Sequence, residues 1–162
     1  MAITSLNELF VHTLRDIYYA ENHLTKVVPE LIETAWNSDL KTLFREHLDE
    51  TRGHIGRLEQ VFALLGEKPA GEKCAAIEGI TAETRELIGQ ISDKTTRDAA
   101  LIAAAQAVEH YEITRYGTLV AWAKALDHEE IQDLLRATLA EEKAADSKLL
   151  RLGEDKLNEK AA

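Results

Sequence analysis

Apolar residues recur every three or four positions through most of the chain, which is the spacing of one face of an amphipathic α-helix. Four long stretches follow this pattern, at about 5–36, 40–65, 98–126 and 129–158, and a shorter one runs from about 74 to 91. No stretch shows the alternation and the tight turns of a β-hairpin. The pattern therefore predicts an all-α chain with four long helices and one short helix.

Polar residues and glycines mark where these helices begin and end. The first break is Asn37-Ser38-Asp39, in which Ser38 or Asp39 is predicted to cap the second helix. Gly66 is predicted to end that helix in the left-handed conformation. Asp127-His128 separates the last two long helices.

The lengths of the breaks indicate how the helices are arranged. The first two long helices are joined by a short break, as are the last two, so each pair should be antiparallel neighbours. The segment 66–97 joins the two pairs and is long enough to cross the length of the bundle. We expect a single domain over residues 1–162, a four-helix bundle with one long crossover that contains the shorter fifth helix.

Composition excludes several classes of function. The 162 residues include 29 acidic and 19 basic side chains, and the formal net charge of −10 argues against binding to nucleic acid or to an anionic membrane. The longest apolar run, residues 99–105, is too short to span a bilayer, and no signal-peptide pattern opens the chain, so a cytoplasmic protein is expected. The single cysteine, Cys74, excludes an internal disulfide and a cysteine-rich zinc or iron–sulfur site.

Acidic residues interrupt the apolar face of each long helix near its middle. These candidate site residues are Glu21 in the first helix, His47, Glu50 and His54 in the second, Glu109 and Glu112 in the fourth, and Glu142 and Asp146 in the fifth. All four interruptions can fall at one level of an antiparallel bundle, where burying the carboxylates would cost several kcal/mol each. No lysine or arginine lies in the apolar faces at this level, so the six carboxylates predict compensation by two divalent metal ions.

The spacing within each helix suits metal binding. Glu109 and Glu112 share one helix face at i, i+3, as do His47 and Glu50, and His54 follows Glu50 at i+4. Hard oxygen ligands with few nitrogens and no thiolate favour iron or manganese over copper. Two ions that share a bridging carboxylate predict reduction of dioxygen or peroxide coupled to oxidation of the metal.

The segments that carry these residues resemble a known family. One glutamate from each of two helices and Glu-x-x-His from the other two is the ferritin-like di-metal pattern. The sequence resembles specifically the YciE/YciF-type ferritin-like family of bacterial stress-associated proteins. The matching segments are 14–21 (LRDIYYAE), 46–51 (EHLDET), 97–106 (RDAALIAAAQ), 108–113 (VEHYEI) with 116–119 (YGTL), and 138–146 (TLAEEKAAD). The resemblance covers nearly the whole chain and implies a ferritin-like fold and the oxidation of Fe(II) by O2 or peroxide. Together with the oxygen-rich ligands it predicts two bound metal ions, with iron favoured over manganese.

The chain departs from the wider ferritin-like pattern in its histidines. Gly53 and Ala145 stand where the pattern has histidine three residues after Glu50 and Glu142. His47 and His54 therefore compete for one coordination position, and Asp146 is either a ligand or a hydrogen-bond partner that orients a histidine. Tyr116, one turn beyond Glu112, could hydrogen-bond a ligand, carry an electron or simply fill the core.

Other interpretations stay open alongside the redox protein. A non-catalytic metal-binding or structural stress bundle would act through a protein partner. A metal-free bundle would hold its acids protonated or hydrated and would gain stability on acidification. A homodimer is also expected, because the aromatic residues Phe10, Tyr18, Tyr19 and Trp36 exceed what one bundle face can bury.

Overall fold

Four long helices and one short helix build the fold, as the apolar pattern predicts. The computed structural model describes residues 2–162 and contains no strand in that range. The helices are α1 (Leu6–Thr34), α2 (Ser38–Leu64), α3 (Ala75–Gln90), α4 (Lys94–Ala125) and α5 (Glu129–Leu152). A π-helical turn (Gly153–Leu157) then leads into the short α6 (Asn158–Ala161). The predicted all-α fold is confirmed.

The four long helices form a closed ring around one core. α1 packs against α2 and α4, and α5 packs against the same two helices from the opposite side. Short connections make α1–α2 and α4–α5 antiparallel hairpins, and the segment 65–93 carries the chain from one hairpin to the other. α3 lies within this crossover and packs on the outside of α1 and α4. The predicted four-helix bundle with one long crossover is therefore confirmed.

The helix ends differ from the sequence prediction at three places. The last long helix does not continue to about 158, because α5 ends at Leu152 and the π-helical turn follows it. Asn37 caps α2, because its side-chain oxygen accepts from the backbone N–H groups of Asp39 and Leu40 at 2.9 and 3.1 Å, so the expectation of a Ser38 or Asp39 cap was wrong. α4 begins at Lys94, with Asp93 as its cap, because its first turn is polar and carries no apolar periodicity. Gly66 does adopt the predicted left-handed conformation, with φ at 68°.

A buried carboxylate fastens one end of the bundle. Asp98 in the second turn of α4 is 2% exposed and accepts from the backbone N–H groups of Trp36 and Asn37, both at 2.8 Å. The connection between α1 and α2 is thereby tied to the start of α4. Both oxygens of this acid are satisfied, so its burial needs no counter-ion.

Polar side chains replace apolar ones at the middle of the core. The inward faces of the long helices are apolar toward both ends, with fully buried residues such as Phe10, Leu14, Leu58 and Leu119. Between these layers lies a set of buried acids and histidines from all four bundle helices. Within residues 2–162, no helix is long and apolar enough to cross a membrane.

Candidate metal centre

Six buried side chains meet at mid-length of the bundle. They are Glu21 of α1, His47 and His54 of α2, Glu109 and Glu112 of α4, and Glu142 of α5, none more than 9% exposed. They divide into two groups that share Glu142. The His47 group is His47, Glu109, Glu112 and Glu142, and the His54 group is Glu21, His54 and Glu142. In each group the potential ligand atoms all lie within 4.8 Å of one another, so each group could hold a metal ion.

The two histidines of α2 enter different groups. They lie seven residues apart, which is two helical turns, and so both face the core at different heights. His47 Nδ1 lies 3.5 Å from Glu109 Oε1, whereas His54 Nδ1 lies 3.0 Å from Glu142 Oε1 and 3.3 Å from Glu21 Oε1. The sequence predicts competition for one position, but the structure places the two histidines in different groups, which share only Glu142.

Two of the predicted ligands lie outside both groups. Glu50 is only partly buried and stands near Lys148 of α5, whose charge partly offsets the rise in the pKa of Glu50 caused by burial. Asp146 accepts from Gln106 Nε2 at 3.1 Å, and its other oxygen lies 3.2 Å from His110 Nε2. The assignment of Glu50 and Asp146 as ligands stays a prediction.

Most of the buried polar atoms in the two groups lack a well-directed hydrogen bond. Among residues 2–162, twelve buried side-chain nitrogens and oxygens have no hydrogen-bond partner, and nine of them belong to these six residues. They include both oxygens of Glu112, both oxygens of Glu142 and both ring nitrogens of His47. Native cores rarely leave buried polar groups unsatisfied, because each costs about 1–3 kcal/mol. Carboxylate oxygens and imidazole nitrogens are also ligands of iron and manganese, so the donor set fits such ions.

Burial shapes the charge of the His47 group. It raises the pKa of Glu112 and of Glu109 well above the ordinary value, and the nearby Glu142 and Glu21 charges add to the rise. It lowers the pKa of His47, which therefore stays neutral. In the absence of a cation, this group thus reduces its negative charge by holding protons on Glu109 and Glu112.

The His54 group contains a cation of its own. Burial lowers the pKa of His54, but its close contacts and charge interactions with Glu142 and Glu21 outweigh burial and raise that pKa to about 10. Burial raises the pKa of Glu142 and is the largest single cause, yet the contact with His54 and the charge of His54, with smaller contributions from other neighbours, together outweigh burial, so the net pKa is lowered. The sequence analysis considered only lysine and arginine as compensating cations. It missed His54 in this role because an imidazole is charged at neutral pH only when carboxylates surround it.

A charged pair outside the groups holds the ring of His54. His54 Nε2 lies 2.9 Å from Glu141 Oε2, and Arg57 donates to both oxygens of Glu141 at 2.6 and 2.7 Å. This contact fixes the ring so that Nδ1 faces Glu21 and Glu142. Sequence reasoning missed Glu141 and Arg57, because both lie off the apolar faces. Their proximity to His54 and Glu142 along the chain was the available signal.

Tyr116 belongs to the same network. Its hydroxyl donates to Glu21 Oε1 at 2.5 Å, and its ring is fully buried with its centroid 6.3 Å from that of His54. Burial and the charge of Glu21 raise the pKa of this phenol, so it stays a proton donor. Of the three roles open from the sequence, the contact fits a hydrogen bond to a potential ligand.

Comparisons with known proteins agree with this architecture. The family model DUF892, described as a domain of unknown function, matches residues 5–162. Protein YciF of Escherichia coli K12 is 43% identical over 162 residues, which cover 99% of this chain and 98% of YciF.

Solved structures share the fold. The crystal structure of the E. coli stress protein YciF superposes with a TM-score of 0.90 at 42% identity, over 96% of this chain and 99% of that one. YcfI from Rhodopseudomonas palustris, provisionally described as a structural protein, gives a TM-score of 0.90 at 54% identity, over 91% of this chain and 94% of that one. A protein from Xanthomonas campestris pv. campestris, 19% identical with a TM-score of 0.73 over 93% of this chain and 92% of its own, shares the fold alone.

Proposed function

The chain belongs to the DUF892 family and is a relative of the stress protein YciF, and from this premise we propose that it is a ferritin-like di-metal protein. It binds two iron ions, one in the His47 group and one in the His54 group, and oxidises Fe(II) with O2 or peroxide. The observation that carries the proposal is the set of nine buried ligand atoms that lack a well-directed hydrogen bond, gathered in two groups around Glu142.

Each group contributes a different ligand set. The His47 group offers a neutral imidazole and the carboxylates of Glu109 and Glu112, and the His54 group offers an imidazole and the carboxylate of Glu21. Glu142 is common to both groups and is the residue placed to bridge them. When bound, an iron pair supplies one electron from each Fe(II) to the oxidant.

The surrounding residues prepare these ligands. His54 must release the proton on Nδ1 before that atom can bind a cation, while Glu141 and Arg57 keep the opposite nitrogen in place. Glu109 and Glu112 must likewise give up the protons that burial favours. Tyr116 holds Glu21 by its hydroxyl, and the apolar layers above and below keep bulk water out.

Metal content tests the proposal directly. The protein is purified without chelators, reloaded with Fe(II) or Mn(II), and measured by elemental analysis beside Glu112→Gln and Glu142→Gln. We expect about two ions per chain in the unaltered protein and a clear loss in both variants. Glu46→Gln, at an exposed position of α2, is the matched control and should keep full loading. A ratio near zero in the unaltered protein after reloading would overturn the proposal.

Oxidation assays then separate the metals and the alternatives. Fe(II) oxidation that disappears in Glu142→Gln supports the redox function, and release of oxygen from peroxide by the Mn(II) form would favour manganese. The provisional structural description of YcfI favours a second candidate, a metal-binding bundle that works through a protein partner. That candidate expects stoichiometric metal without turnover.

The expected homodimer stays a proposal that now depends on one residue. Phe10 is fully buried, and Tyr18 and Tyr19 pack against the core, but Trp36 is 60% exposed beside Lys94. Light scattering on the unaltered protein and on Trp36→Ala tests it, with a monomeric mass for the unaltered protein as the contradicting result.

A further inference from the structure

A small apolar cavity lies in the bundle core beside the His47 group. The centre of a water-sized sphere can move through about 30 Å³ of this space, more than the roughly 10–15 Å³ that one water molecule needs. Side chains from all four long helices line it, chiefly Leu24, Val28, Phe44, Ala105, Val108 and Leu149. His47 and Glu109 also line it, so the cavity borders directly on two candidate metal ligands.

The outer rim of this cavity is charged. Glu46 and Glu50 of α2 and Lys148 of α5 stand there, and Lys148 Nζ lies 3.4 Å from Glu46 Oε2. Both partners of this ion pair are about half exposed, and exposed pairs of this kind are worth only about 0–1 kcal/mol. A small molecule can therefore pass between α2 and α5 without breaking a strong interaction.

The lining determines which molecules are stable in the cavity. A buried water needs two to four polar partners, and the aliphatic and aromatic walls supply none away from His47 and Glu109. Hydrogen peroxide donates and accepts hydrogen bonds, so it would lose those bonds in the apolar part of the cavity, away from His47 and Glu109. Dioxygen has no such bonds to lose and gains dispersion contacts with the walls.

We propose that this cavity is a binding site for small uncharged apolar molecules and that it holds dioxygen beside His47 and Glu109. The inference rests on the proposed function and narrows it, because it makes dioxygen rather than peroxide the oxidant that approaches the metal centre from this side.

Xenon is the probe for the first experiment, because it is apolar, uncharged and visible without any metal or turnover. Crystals of the metal-free protein are pressurised with xenon, and the same titration is followed by amide chemical shifts in solution. Xenon should occupy the cavity and shift the amides of its lining. Val28→Leu and Ala105→Val, on two different helices, each add carbon to the cavity and should abolish binding. Val61→Leu adds one carbon at a fully buried position elsewhere and should leave binding unchanged.

Kinetics of the iron-loaded protein provide the second readout. We expect Val28→Leu to raise the O2 concentration for half-maximal Fe(II) oxidation several-fold and to leave the rate with peroxide unchanged, while Val61→Leu alters neither. A variant that no longer binds xenon but keeps the normal dependence on O2 would overturn the inference, as would equal slowing with O2 and peroxide.

The two proposals fail in different ways. A cavity that stays free of xenon in a protein that still binds two ions overturns the dioxygen site and leaves the metal function standing. Xenon bound in a protein that takes up no metal supports the site for apolar molecules and overturns the proposed function instead.

Discussion

The His47 group and the His54 group share Glu142 and the same residue types, yet they balance their charge differently. In the His54 group the imidazole is itself a cation, with its pKa raised to about 10 by Glu142 and Glu21. In the His47 group the imidazole is neutral, and burial instead raises the pKa values of Glu109 and Glu112. The neighbours decide this difference: carboxylate oxygens lie 2.9 to 3.3 Å from the two nitrogens of His54, whereas His47 has a single such contact, from Nδ1 to Glu109 at 3.5 Å.

Replacing one histidine at a time should have the largest effect on stability, and it tests directly whether the two groups differ. His54→Leu leaves Glu21 and Glu142 buried without a cation, so the metal-free protein should lose about 3–5 kcal/mol of unfolding free energy. His47→Leu removes a neutral, unbonded imidazole from a similar depth and should change stability far less. Denaturant unfolding of the two variants measures the difference, and equal losses would show that the two groups do not differ in this way.

Metal loading is expected to have the next largest effect and to reduce the contrast between the groups. An ion at about 1,000 times its dissociation constant stabilises a folded protein by about 4 kcal/mol. Thermal unfolding with and without Fe(II) or Mn(II) should show a gain of this order in the unaltered protein. Glu112→Gln should lose the part of the gain that comes from the His47 group, and Glu46→Gln should lose none. The absence of a metal-dependent shift in the unaltered protein would contradict the prediction.

A smaller effect is expected from a substitution that disturbs only the contact between Glu141 and His54, and it tests one group without altering the other. Glu141→Gln weakens the contact to His54 Nε2 and the pair of hydrogen bonds from Arg57. Loss of such a supporting contact typically weakens metal binding about 10–100-fold. Competition with a coloured chelator measures this for both ions. Only the affinity of the ion in the His54 group should fall. Glu46→Gln serves again as the control. A fall in both affinities would mean that Glu141 acts on the whole centre.

The dependence of stability on pH gives the smallest signal, at most about 1.4 kcal/mol per pH unit for each proton. The pKa values of Glu109, Glu112 and His54 are all raised in the folded protein. The stability that these groups give to the folded protein is therefore present at low pH and is lost as pH rises from each ordinary pKa to the raised one. Metal-free protein should therefore lose stability as pH rises, and the part of this loss between the ordinary histidine pKa of 6.5 and the raised value of about 10 should vanish in His54→Leu.

The metal-loaded protein should show the opposite trend when metal is limiting. The glutamates and His54 release protons on binding, so apparent affinity rises with pH. Denaturant unfolding at a series of pH values, with and without metal, tests both signs. Metal-free stability that is flat or rising above neutral pH would contradict the raised pKa values.

The helices and four of the buried acids were predictable from the sequence, because a helical period of apolar residues reveals any polar residue that interrupts the apolar face. Glu21, Glu109, Glu112 and Glu142 interrupt such faces, and all four are buried at the centre. For α2 the period could not choose among the three candidates His47, Glu50 and His54. They lie within one broad face of the helix, and its rotation in the bundle sets which of them point inward.

Pairing between distant segments explains the rest of what the sequence could not supply. Asp98 is buried like the acids of the candidate metal centre, but both its oxygens accept from the backbone of Trp36 and Asn37, so it needs no cation. Arg57 and Glu141 are 84 residues apart, and only the packing of α2 on α5 brings them together at His54. Periodicity detects which residues are buried, whereas it does not detect what they bond to.

The division of ligands between the two hairpins has a consequence for assembly. Each group takes residues from both the α1–α2 hairpin and the α4–α5 hairpin, and the two hairpins are joined only through the crossover at 65–93. Cleavage of that crossover would give two fragments, each with an incomplete set of ligands for either ion. The proposed ions would then hold the two fragments together, and reassociation of the fragments would depend on the concentration of metal in the medium.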